Sequence, residues 1–164
     1  MLTPIQHKNI RSTRQFAIVA SEYNAVYVDS MVHSAKAELK RSGVKALQVI
    51  RVPGAYEIPL VAAHLAGLAG ARVVDGCPPA AIICLGVILR GETVHAAHIG
   101  EAVSRGLMEI QLQTGVPVVH EVLLLENEAQ ARVRCLARKH NRGTEAAQTA
   151  LAMARVIESL EAKR

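Results

Sequence analysis

Four short stretches of this chain gather the side chains that do chemistry: Tyr23-Asn24, Gly54-Ala55-Tyr56-Glu57, the run Arg90-Gly91-Glu92-Thr93-Val94-His95, and His120-Glu121. In the third, Gly91 lets a backbone approach a ligand closely. The N–H groups of Glu92 and Thr93 are expected at a helix N-terminus, where an anion is favoured. A plainer reading makes Thr93 an N-cap and Gly91 a turn residue, and the loop alone does not decide between them. His95 falls in the first turn of the following helix, on the stripe shared with Ile99 and Val103, so it points toward the strand ends. An imidazole there gives and takes protons near neutral pH. An anion cradle beside a proton carrier is the chemistry of an enzyme acting on a phosphorylated small molecule.

These loops need strands and helices to hold them. Residues 16–20 (FAIVA) read as a strand, Glu22-Tyr23-Asn24 as a loop and Asp29 as the N-cap of a helix. Val28, Val32, Ala35 and Leu39 lie on one face of that helix, which stops near Gly43. Residues 47–52 (LQVIRV) form a second strand, ended by Pro53-Gly54. The helix after it carries Ile58, Ala62 and Leu65 inward and has Pro59 in its first turn, where a missing N–H is harmless. The stretch from Gly67 to Pro79 is the longest surface connection.

Residues 80–87 (AAIICLGV) are almost wholly apolar, as suits a central parallel strand covered on both faces. The helix after His95 turns Ile99, Val103, Gly106 and Ile110 inward and Glu101, Arg105 and Glu109 outward. Strand four runs from Val116 to Leu125. Asn127 and Gln130 resemble a capping box opening a short helix. A last helix, from about Gly143 to Leu160, carries Ala146, Ala150, Met153 and Ile157 on one face. The expected fold is a three-layer α/β/α sandwich on a four-stranded parallel sheet, with the site at the carboxyl ends of the strands.

The totals agree. A chain of 164 residues suits one domain, here residues 16–164 behind an arm of residues 1–15. Hydrophobic residues make up 51% but aromatics only 2%, so Ala, Val, Ile and Leu must fill the core. The net charge of +5 comes from scattered basic residues that mostly alternate with Glu along helices, which argues against nucleic-acid binding. Cys77, Cys84 and Cys135 are odd in number and lack C-x-x-C spacing, which speaks against a disulfide framework or a zinc site and for a reduced, cytoplasmic setting. The first fifteen residues lack the apolar core of a signal peptide, and no apolar run is long enough to span a bilayer.

The phrases VPGAYEIP, GVILRGETVH, EAVSRGLM, the Gln130 to Arg134 segment and NRGTEAA, in this order, resemble the lumazine synthases from about Phe16 to Met153. The resemblance implies a flavodoxin-like fold. It implies a transferase that condenses 5-amino-6-(D-ribitylamino)uracil with 3,4-dihydroxy-2-butanone 4-phosphate to 6,7-dimethyl-8-ribityllumazine in riboflavin biosynthesis, with no cofactor and no metal. By resemblance Tyr23 stacks on the pyrimidine with Asn24 beside it. Ala55, Tyr56 and Glu57 hold the ribityl chain, and the backbone of Val87, Ile88 and Leu89 lies along the heterocycle. Glu92 and Thr93 supply backbone donors for the phosphate. Arg134 of a neighbouring subunit neutralises it, His95 is the catalytic histidine, and Glu145 orients or tunes its surroundings. The family also implies pentamers with sites between subunits, in some members a 60-subunit icosahedral shell, with riboflavin synthase a candidate partner.

The chain departs from the family in the stretch Val94-His95-Ala96-Ala97-His98, where HFDY with a preceding Pro is usual. His120-Glu121 stands where a neighbouring subunit usually lends a Phe to the substrate pocket, Glu22 where Arg is common and Arg142 where Lys is common. His120 gives up stacking area for a hydrogen-bonding, titratable ring, from which an altered affinity or pH optimum is expected. Two other readings stay open: a catalytically weakened shell-forming homologue, and a protein that binds lumazine or riboflavin without turning it over.

Overall fold

A computed structural model describes residues 15–68 and 77–162. Strand β1 (Phe16–Ser21) leads into helix α1 (Ala25–Arg41), and β2 (Leu47–Val52) into a 3-10 turn (Ala55–Glu57) and α2 (Ile58–Leu65). Next come β3 (Ala81–Leu89), α3 (His95–Thr114) and β4 (Val118–Leu125). A short α4 (Glu128–Ala131), a π-helical turn (Arg132–Leu136) and α5 (Arg142–Glu161) complete the order. Of the expected arm, residues 1–14 lie outside the described residues, as do residues 69–76 of the expected long connection.

The four strands are all parallel, in the order β2-β1-β3-β4. The three-layer α/β expectation therefore holds. From β1 the chain moves one way along the sheet to β2, and from β3 it moves the other way to β4. Right-handed crossovers then put α1 and α3 on opposite faces. One apolar layer joins Ile18, Ile83 and Leu85 to Val28, Met31 and Leu39 of α1 and Leu151 of α5. The other joins Val19, Ile82 and Cys84 to Ile58 and Ala62 of α2 and to Val103, Leu107 and Ile110 of α3. Between them β1 is buried throughout, and β3 is buried except at Leu89, which explains their unbroken apolar sequence.

Alanines do structural work where α5 meets α1. Ala146, Ala147, Ala150 and Ala154 are buried there. At Gly143 the backbones come so close that a Cβ would overlap the carbonyl of Met31. Aromatic bulk at these positions would hold the two helices apart.

Several local expectations are corrected. Asp29 is not the N-cap of α1. The helix begins five residues earlier behind Asn24, whose backbone adopts the left-handed conformation (φ 59°) that asparagine tolerates. Asp29 instead pairs with Arg51 across 2.8 Å on the exposed face. Strand β4 starts at Val118 and not Val116, because Pro117 has no N–H for the ladder. The capping box is half formed: Asn127 accepts from the N–H of Gln130, while the Gln130 side chain accepts from Glu126 and not from Asn127. Helix α5 begins at Arg142, one residue before the expected Gly143, and Asn141 caps it, accepting from the Gly143 N–H at 2.9 Å.

Candidate active site

The direction reversal between β1 and β3 opens a crevice at the carboxyl ends of the strands, the expected ligand position in an open parallel sheet. A cavity of about 690 Å³ fills it. The ends of β3 at Val87, Ile88 and Leu89 form its base, and Tyr23 and Asn24 form one wall. Asn24 pins that wall: its carbonyl accepts from the N–H groups of Tyr27 and Val28, and its side-chain amide donates to the Val87 carbonyl at 2.7 Å. The β1 turn is thereby tied to the end of β3. Tyr23 is left 71% exposed, with its ring free to stack.

Gly54, Ala55, Tyr56 and Glu57 also line the cavity, next to Tyr23. A Cβ on Gly54 would lie 2.9 Å from a Glu57 carboxylate oxygen and 3.2 Å from the Tyr23 ring. Glycine therefore allows the carboxylate and the aromatic ring to close over one stretch of backbone. The Glu57 carboxylate meets no hydrogen-bond donor among the described residues and faces the cavity as an acceptor.

Helix α3 contributes His95, His98, Ile99 and Ala102. His95 is the first residue of the helix, and its neighbour Ala96 is turned into the core. His98, three residues on, shares its face and lines the same cavity. The sequence reading passed over His98 as a site residue, although its spacing from His95 is the signal that finds it.

Glu92 and Thr93 stand apart. Helix α3 begins at His95 behind Val94, with no side-chain cap, so Thr93 is not the N-cap and both residues precede the helix by a bend. Neither lines the cavity. Their N–H groups meet no backbone acceptor among the described residues, which leaves them available to an anion. Gly91 has open space around it, so no contact within the protein demands a glycine there.

The remaining expected residues form a second group on the outer edge of the sheet, away from the cavity lining. His120 pairs in register with Cys84, and strand alternation sends it to the α3 face and Glu121 to the α5 face. The Val122 N–H donates to His120 Nδ1 at 3.2 Å, so the ring proton sits on Nε2 and points to Ser104 Oγ at 2.8 Å. The Ser104 hydroxyl in turn donates to the Gly100 carbonyl at 2.7 Å. Burial lowers the His120 pKa, offset in part by its own backbone, and a proton on Nδ1 would face the Val122 N–H.

On the other face Glu121 takes two hydrogen bonds from Arg142, at 2.9 and 2.8 Å, and Arg142 reaches Glu145 at 2.6 Å. Desolvation pushes the Glu121 carboxyl above its usual range against the pull of Arg142. Burial also works against the charge on Arg142, but the two carboxylates outweigh it and raise its pKa. Arg134 lies exposed on the π-helical turn, close enough to Glu121 to act on its charge. The turn is knotted to its neighbours: Ser30 and the buried Asn141 both donate to the Cys135 carbonyl.

Burial pushes the Cys84 thiol well above its usual range and the Cys135 thiol up to about 11, so both act as core residues. Among the described residues no cluster of three or more His, Cys, Asp or Glu is arranged to hold a metal, and no helix is long and apolar enough to cross a membrane.

Residues 13–158 match the family model described as 6,7-dimethyl-8-ribityllumazine synthase. Among its relatives, the 6,7-dimethyl-8-ribityllumazine synthase of Xanthomonas campestris pv. campestris (strain B100) is 40% identical over 151 residues, covering 91% of this chain and 93% of that protein. The protein of the same name from Xanthomonas oryzae pv. oryzae (strain PXO99A) is 42% identical over 150 residues, covering 90% and 92%. That of Stenotrophomonas maltophilia (strain R551-3) is 40% identical over 148 residues, covering 89% and 90%. A matching family model over nearly the whole chain, and relatives of this identity at nearly full length, make the chain a member of the 6,7-dimethyl-8-ribityllumazine synthase family.

Proposed function

We propose that the protein is a cytoplasmic 6,7-dimethyl-8-ribityllumazine synthase, a transferase joining 5-amino-6-(D-ribitylamino)uracil to 3,4-dihydroxy-2-butanone 4-phosphate with release of phosphate and water. The observation that carries this reading is the convergence of Tyr23, Glu57 and His95 on one cavity at the switch point of the sheet. Tyr23 stacks on the pyrimidine ring. Ala55, Tyr56 and the Glu57 carboxylate take the hydroxyls of the ribityl chain, and the main chain of Val87, Ile88 and Leu89 meets the edge of the heterocycle, with Asn24 fixing the Val87 carbonyl.

The phosphate sits against the N–H groups of Glu92 and Thr93, and the 20-residue α3 just beyond adds its positive end. His95 moves protons as the amine condenses with the ketone and water leaves, as phosphate is eliminated, and as the second amine closes the ring. Arg134 forks onto phosphate oxygens. Arg134, Glu145 and His120, grouped at the β4 edge of the sheet and not at the strand ends, serve the cavity of a neighbouring copy, with the sites of a homo-oligomer lying between subunits. His120 there stands where an aromatic wall is usual, with both ring nitrogens engaged within its own chain.

The test is turnover of the two substrates by purified protein, followed as loss of the diamine absorbance and appearance of lumazine fluorescence. His95→Ala should lose about a hundredfold or more of the rate above the spontaneous reaction. A protein that only binds lumazine, or only builds a shell, would show no such rate to lose.

A further inference from the structure

The edge cluster holds two carboxylates and two guanidiniums, yet both carboxylates are on Arg142. Its Nε and Nη2 fork onto Glu121, and its Nη1 donates to Glu145. Paired N–H···O bonds between ionised groups are the strongest of their kind and the most fixed in geometry. Glu121 is only 7% exposed and lies within the ladder of β4, so it cannot follow Arg142 outward. At the other end Arg142 is the first residue of α5, immobilised by the Asn141 cap and by the contact of Gly143 with α1. Arg134, by contrast, has no ion pair among the described residues and projects from an exposed position.

We infer that Glu121 is a positioning residue: it withdraws Arg142 from the anion site, so that Arg134 is the guanidinium left for the phosphate. The inference rests on the proposed role of Arg134. A phosphate that approached Arg142 would meet a guanidinium already neutralised by two carboxylates, with one N–H left on each Nη, and taking the forked N–H groups as well would leave Glu121 a buried, unpaired carboxylate. Glu121 thus holds the affinity for phosphate below what two free guanidiniums would give, which favours release of the phosphate that the reaction produces.

The experiment measures binding of inorganic phosphate to the assembled, full-length protein by calorimetry. Glu121→Gln removes one negative charge and frees Arg142, and the expected result is phosphate binding tighter by about threefold to tenfold. The double variant E121Q/R142Q removes the pair as a neutral unit and should return to within about twofold of the parent protein. Arg134→Ala should bind at least about tenfold more weakly.

Unchanged or weaker binding in folded Glu121→Gln overturns the inference. So does a double variant as weak as Arg134→Ala, because Arg142 would then itself be a phosphate ligand. If Glu121→Gln does not fold, the double variant alone decides. Parent-like binding by Arg134→Ala would instead remove the phosphate role given to Arg134 in the proposed function, a separate and recognisable failure.

Discussion

The cavity and the sheet edge are built on opposite principles. Around the cavity the functional side chains stand open: Tyr23 and Tyr56 are 71% and 63% exposed, and His95 lies at the exposed start of its helix. What is fixed there is the backbone beneath them, through Asn24 on Val87 and the bare Cα of Gly54. At the edge the side chains themselves are tied, Glu121 to Arg142 to Glu145 on one face and His120 to Ser104 on the other. One region waits for a ligand. The other is already satisfied and presents a finished surface with Arg134 beside it.

That contrast predicts which substitutions cost stability and which cost only activity. The largest structural effect should come from Gly143→Ala. A glycine-to-alanine change inside a helix ordinarily stabilises by about 1 kcal/mol. Here the new methyl meets the Met31 carbonyl and should destabilise by about 3 kcal/mol or more, read as a lowered denaturant midpoint. His95→Ala, by comparison, should leave that midpoint unchanged while removing activity.

The smallest effect is a pH dependence at His120. Its folded pKa is depressed, so the stability it contributes is present above the ordinary histidine range and is lost as pH falls through the folded value. His120→Phe should flatten the acid side of the stability profile without changing the plateau by more than about 1 kcal/mol. An acid limb unchanged by the substitution would mean that the Ser104 and Val122 contacts do not hold the ring neutral.

Much of this was legible in the sequence, for identifiable reasons. Residues 80–87 betray a central strand because burial on both faces leaves no room for polar alternation. The cavity residues could be named because strand-to-helix loops of an open sheet converge at one end. Asp29 misled because a local capping preference says nothing about Asn24, whose left-handed turn is stabilised by a bond to Val87, 63 residues away. His98 is harder to read, because its sharing of a face with His95 depends on the helix starting at His95 itself. The division of the site residues into two groups was not readable from loop positions. It depends on the register that sets His120 opposite Cys84, well short of the strand end.

The central claim is that the cavity of one copy works with the edge group of another, and mixed assembly tests it most directly. His95→Ala and Arg134→Ala should each be nearly inactive alone. Co-assembled from equal amounts, they should regain activity at about one quarter of the sites, those where an intact cavity meets an intact edge. Mixed assemblies no more active than their parents would contradict the account, because both residues would then serve the same chain.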